Sequence, residues 1–282
     1  MTELAPLTLP AADDYLDWVS STSEASLDRA RTLVAELKAD PPASALATLQ
    51  RWNEVVLAIG NAAARGELFS EVHPDAGVRD AAEKAALAAQ QLATELGLDT
   101  ELYALFAAVD PAGLDPEASR LLEKTLRDFR RSGVAADEPT RARVKEIRDR
   151  LTVLGQTFAR TIREGTRSIK VRPEQLEGLP ADWVEAHPAG EDGLVTVTTD
   201  YPDAIPFRTF ARDADARREL VVAQLTIGYP DNVEVLREIF GLRAELATLL
   251  GYDNWPDFDA EALVGAVEQY NGRERRFGAR PG

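Results

Sequence analysis

The apolar residues Val144, Ile147, Leu151, Leu154, Phe158 and Ile162 follow one another at spacings of 3, 4, 3, 4 and 4. A run of that kind keeps one side of an α-helix apolar for about seven turns, closed here by Gly165. Such a seam needs partner helices, because helix stability in water comes mainly from packing rather than from propensity. The rest of the chain supplies candidates. From Glu117 to Ser132, Ala118, Leu121, Leu122, Leu126 and Phe129 recur at three- and four-residue steps, while Arg120, Lys124, Arg127 and Arg130 lie largely off that stripe. Gly133 then offers a stop.

The same arithmetic predicts helices from about Ala12 to Lys38, from Ser44 to Arg65 and from Val78 to Leu96, punctuated by Pro41-Pro42 and by His73-Pro74-Asp75. Asp213 to Ile227 reads as a further helix. Asp231 can cap a last one that carries Val233, Leu236, Ile239, Phe240, Leu246 and Leu250 before Gly251. One segment breaks the period. Ser168 to Val171 (SIKV) and Leu194 to Thr199 (LVTVTT) alternate apolar and polar residues and are rich in β-branched types, which suits two short strands. Between them Pro173, Gly178, Pro180, Pro188 and Gly190 are too irregular for a tight hairpin, with room for a short helix near Pro180 to Glu185. The fold class is therefore mainly α: a multi-helix bundle with one small two-stranded β element. No repeat of about 20–50 residues and no low-complexity linker divides the chain.

Composition excludes several kinds of function. With 282 residues, 45% of them hydrophobic, the chain can bury one large core or two smaller ones. A formal charge of -16, from 48 acidic against 32 basic residues, argues against a nucleic-acid or anionic-membrane surface, since phosphates are met by basic patches. The absence of cysteine rules out disulfides, thiolate metal sites and cysteine nucleophiles, and fits a reducing compartment. The first twenty residues hold Glu3, Asp13, Asp14 and Asp17 and neither Lys nor Arg, the wrong charge for a secretory or transit peptide. No apolar run approaches the ~18 residues of a membrane span. The cytoplasm is the simplest address.

Chemistry is sparse. His73 and His187 stand far apart, each directly before a proline, so neither lies in an H-E-x-x-H pair. That spacing matters because two histidines at i and i+4 project from one helical face onto one zinc, with the intervening Glu activating the bound water. Each histidine reads instead as a loop or cap residue. Neither a G-x-S-x-G elbow nor a G-x-x-x-x-G-K-[ST] loop occurs. Carboxylate pairs such as Asp13-Asp14, or Asp257 with Asp259, read as solvated acidic surface. Of the tryptophans Trp18, Trp52, Trp183 and Trp255, Trp52 follows Leu49 by three and precedes Val56 by four, which places it on a core stripe.

Four stretches are less anonymous: FSEVHPDAGVRDAAEKA (Phe69 to Ala85), LLEKTLRDFRRSGV (Leu121 to Val134), TTDYPDAIPFRTFARDADARREL (Thr198 to Leu220) and LRAELATLLGYDNWPDF (Leu242 to Phe258). In this order they resemble the N-terminal part of the thimet oligopeptidase and neurolysin family of zinc oligopeptidases, from about residue 10 to residue 261. The resemblance implies a mostly helical lobe flanking a deep channel that admits short peptides and excludes folded proteins. It also implies that the zinc ligands, an H-E-x-x-H helix and a further glutamate, lie C-terminal to the matched region. No residue of this chain inherits a catalytic, cofactor-binding or metal role from it, and zinc is a cofactor of the full-length family rather than of this chain.

Past Glu261 the resemblance ends. The stretch EALVGAVEQYNGRERRFGARPG, with Gly265, Gly272, Gly278 and Gly282 and with Arg273, Arg275, Arg276 and Arg280, fits neither a helical seam nor the family's continuation. A helical lobe over 1–261, with the β insertion around 166–205, and a divergent, disordered tail over 262–282 are expected. Translation from a shifted reading frame is the expected origin of the tail, and a genuine short terminus is the alternative. The corresponding function is a non-catalytic part of a zinc endopeptidase of short peptides, inactive alone and supplying channel wall and size exclusion. A stand-alone helical module that binds peptides or a protein without cleaving them is the alternative, and a separately encoded catalytic half is a third reading.

Overall fold

A computed structural model describes residues 9–255, so the predicted tail at 262–282 lies outside the described residues. Ten α-helices and one two-stranded sheet make up the described part, the mainly α class with one small β element that the periodicity predicts. They fall into two compact units, residues 9–153 with 240–255 and residues 154–239.

The first unit opens with a 3₁₀ turn, Ala12–Asp14, followed by α1 (Tyr15–Ala39), α2 (Ala45–Val72) and α3 (Ala76–Gly97). Ser44 and Asp75 cap α2 and α3, their side chains accepting from the backbone N–H groups of Ala47 and Val78. The sequence reading ends the second helix at Arg65, but α2 runs on to Val72. Gly66 sits buried inside it, where a Cβ would come within 2.6 Å of Ala86 N and 2.8 Å of Ala82 O on α3. Gly66 is thus a point of close helix approach rather than a stop.

Two further helices complete this core. α4 (Thr100–Ala107) was not predicted, because its apolar sequence is too short to show a period. Asp99 makes it: Oδ1 accepts from the backbone N–H groups of Glu101 and Leu102, while Oδ2 accepts from Lys38 Nζ at 2.5 Å. Burial opposes the charge of Lys38, but hydrogen bonds and attraction from Asp99 and Glu101 outweigh it and hold the ammonium above its ordinary range. α5 (Pro116–Ser132) starts at an Asp115 cap with proline in its first turn and ends at Gly133, φ +92°, as expected. The N–H groups of Gly133 and Val134 close its last turn on Arg130 O and Phe129 O. Leu33, Leu37, Leu49, Leu102, Phe106 and Phe129 pack in the resulting core.

α6 (Glu138–Arg163) and α10 (Asn232–Leu249) each have residues in both units. In the first unit Val144 and Ile147 of the predicted seam pack with Leu246. At its far end the seam fails: Ile162 is 44% exposed. The helical angle is not the cause, since Ile162 follows Val144 by about five full turns and faces the same way; the seam is left uncovered at this end. Phe240, placed on an apolar set by sequence, is 58% exposed.

The second unit is built from short pieces. β1 (Ser168–Val171) pairs antiparallel with β2 (Val195–Thr198), Ile169 opposite Val197 and Val171 opposite Val195, within a residue of the predicted strands. A 3₁₀ turn at Pro173–Leu176 and α7 (Ala181–Ala186), the short helix foreseen, occupy the connection. α8 (Tyr201–Phe210) and α9 (Ala214–Leu225) cover the inward strand residues with Phe207 and Leu220. α8 was not predicted, since Pro202 and Pro206 argue against a helix. Pro202 lies in the first turn, where its missing donor is harmless. Pro206 would leave the carbonyl of Pro202 without its helical partner, and the indole Nε1 of Trp183 donates to that oxygen at 3.3 Å.

Candidate functional site

The first unit carries an apolar groove of about 520 Å³, between α2 and α5 and closed below by the end of α3. The caps described above fix the helix registers, and the registers select its walls. On α2, Trp52, Asn53, Val56 and Gly60 share one face, and on α5, Leu121, Lys124, Thr125 and Asp128 share another. Sequence reasoning put Trp52 and Val56 on a core stripe. Trp52 is half-buried, packing its ring against Phe106 and Phe129 at centroid distances of 5.2 and 5.9 Å, and it also lines the groove. Val56 is 49% exposed and forms groove wall rather than core. Leu96 and Gly97 of α3 complete the floor, and a Cβ on Gly97 would stand 3.0 Å from Ser132 Oγ, so this end is tightly joined. At Gly60 a Cβ would meet nothing within 4 Å.

The groove's polar groups stand at its rim. Asp128 is engaged by Arg127, whose Nη2 and Nε lie 3.0 and 3.1 Å from Oδ1. Lys124 is half-buried and, among the described residues, takes part in no ion pair. The arrangement can hold an apolar group and meet a negative charge, but it has no nucleophile with an adjacent base.

In the second unit the polar centre is a clasp. His187, the C-cap of α7, stacks on Trp183 with ring centroids 3.7 Å apart. Its Nδ1 donates to Trp183 O at 2.7 Å, and its Nε2 lies 3.1 Å from Asp203 Oδ1. Asp203 Oδ2 accepts from the Thr198 N–H at 3.0 Å and from the Thr198 hydroxyl at 2.6 Å. Burial raises the Asp203 pKa, but the Thr198 and His187 hydrogen bonds outweigh it and keep the carboxyl below its ordinary range. The Thr198 hydroxyl is bonded to the carboxylate rather than to the imidazole, so the hydroxyl–imidazole–carboxylate order of a catalytic triad is not formed.

His73 caps the end of α2, where its Nδ1 accepts from the Asp75 N–H at 3.2 Å and its ring packs on Tyr15. Both histidines thus occupy the cap positions read from sequence. Among the described residues no three His, Asp or Glu side chains converge as a metal site requires, and the donor set present does not fit a zinc ion. Trp18 packs with Phe69 under the Arg65 guanidinium, and Trp255 lies beneath Arg243.

Known proteins with similar sequences agree on one kind of enzyme. Saccharolysin of Saccharomyces cerevisiae is 28% identical over 203 residues, 68% of this chain and 28% of that protein. Oligopeptidase A of Haemophilus influenzae is 30% identical over 176 residues, 57% of this chain and 26% of its own. Mitochondrial intermediate peptidase 1 of Cryptococcus neoformans is 29% identical over 272 residues, 90% of this chain and 34% of its own. The chain is similar in sequence to oligopeptidases.

The chain spans about a quarter to a third of the length of these oligopeptidase relatives. No protein-family model matches it. Some relatives are named as mitochondrial or chloroplastic. No helix among the described residues is long and apolar enough to cross a membrane.

Proposed function

We propose that this chain is a non-catalytic, N-terminal part of a zinc-dependent oligopeptidase that cleaves internal bonds of short peptides. Its helices serve as channel wall and exclude folded proteins. The observation that carries the reading is similarity that covers only 28% and 34% of longer peptidases, over a region whose described residues bring together no metal-ligating set. In the complete enzyme, zinc would polarise the peptide carbonyl and a motif glutamate would activate water, both supplied from outside this chain. The protein acts in the cytoplasm on this reading, with short peptides, and a separate chain bearing H-E-x-x-H, as its partners.

The purified 282-residue chain, incubated with a quenched fluorescent peptide and zinc, is expected to give no chelator-sensitive cleavage. Zinc-dependent hydrolysis abolished by chelator overturns the proposal. A second reading, a helical module that binds peptides without cleaving them, is favoured by the half-buried Lys124 at the apolar groove.

A further inference from the structure

We infer that the groove between α2 and α5 is a binding site for the C-terminal end of a short apolar peptide, with the terminal carboxylate on Lys124. The inference rests on the peptide-handling reading above and adds a site and a recognised group to it.

Charge is the first argument. Carboxylates outnumber cations in this chain, 48 acidic residues to 32 basic ones, and three of its five lysines are ion-paired. Lys38, Lys145 and Lys170 are each ion-paired, and Lys84 stands exposed in solvent. Lys124 is half-buried against apolar walls and has no ion pair among the described residues. The groove's own carboxylate, Asp128, is already held by Arg127 and leaves the ammonium free to meet an incoming anion. A charge-assisted hydrogen bond beside low-dielectric walls is stronger than one in open water.

Shape and lining are the second. A volume of about 520 Å³ is that of a small-ligand cleft, and Trp52, Val56, Leu96 and Leu121 give it an apolar interior. A carboxylate joined to an apolar body satisfies both features. A fatty acid shares that chemistry, but the side chain of Asn53 at the groove's edge can pair with peptide N–H and C=O groups, which an alkyl chain does not offer. Gly60 leaves open space along α2, so a peptide backbone can lie close to the helix.

The experiment is a calorimetric titration of the 282-residue chain with the tripeptide Ala-Leu-Phe, with the same tripeptide amidated at its C-terminus, and with decanoate. The free acid is expected to bind about tenfold more tightly than the amide, the effect of one charge-assisted contact. Lys124→Gln should weaken the acid to the level of the amide and leave the amide unchanged. Gly60→Leu, which meets no neighbour in the fold, should weaken both peptides at least tenfold without lowering Tm. Equal binding of acid and amide, indifference to either substitution, or no binding at millimolar peptide overturns the inference. Binding of decanoate without the tripeptide overturns the peptide as occupant. Cleavage of the tripeptide, read in the same samples, would sink the non-catalytic proposal while the dependence on the carboxylate is judged separately.

Discussion

The two units reach a buried core by different means. The first uses mainly long helices, with α2, α3 and α5 capped by their own neighbours in sequence, and aromatic and aliphatic side chains fill the space between them. The second uses two four-residue strands and short helices, held by side-chain polar groups that link one element to the next: Trp183 on Pro202 O, Asp203 on Thr198 and His187. Short elements have few internal hydrogen bonds, so the remainder must come from side chains. The first unit is therefore expected to answer mainly to lost volume, and the second to lost hydrogen bonds and to pH.

Three measurements sharpen or break that contrast, each followed by hydrogen exchange at the core amides of the unit concerned. Phe106→Ala should have the largest effect. Phe106 is fully buried between Trp52 and Phe129, and its truncation should cost about 3–5 kcal/mol, alike at neutral and acid pH. A loss below about 1 kcal/mol would mean that packing is not what holds the first unit.

Gly178→Ala comes next. The residue has φ +101°, and a Cβ would fall 2.3 Å from Phe210 O, where the Arg212 N–H also returns to Glu177 O. Backbone strain and displacement of α8 together should cost about 2–4 kcal/mol. An unchanged second unit would show that this turn is not a point of close approach.

Asp203 gives the smallest effect and the clearest sign. Its carboxyl has a lower pKa folded than unfolded, so its contribution is fully present above the ordinary value of about 3.9. It is lost as pH falls through the lower folded value. Asp203→Ala should cost about 1–3 kcal/mol at neutral pH and flatten that acid dependence. If the variant keeps the wild-type acid profile, the clasp is not the source of the pH response.

The candidate groove was partly legible. Trp52, Val56 and Leu121 were visible on helical stripes and Lys124 beside one, but a stripe does not say which of its members meets a neighbour. Val56 and Leu121 read as core and are groove wall, because space is left between α2 and α5 at their positions. The freedom of Lys124 was illegible, since it depends on where every carboxylate of the fold comes to rest.

By itself the sequence determined the mainly α class, the caps and stops of α5, the limits of β1 and β2 and the kinship with oligopeptidases. Each of those is written in local spacing or in ordered likeness. Tertiary structure decided the rest. It carried α2 past Gly66 because α3 needed to approach there, and it formed α8 despite Pro206 because Trp183 takes up the carbonyl that the proline leaves open. It also gathered α2, α3 and α5 around one groove. Those outcomes depend on contacts between residues distant in the chain, whose free energy appears only when the partners have been brought together.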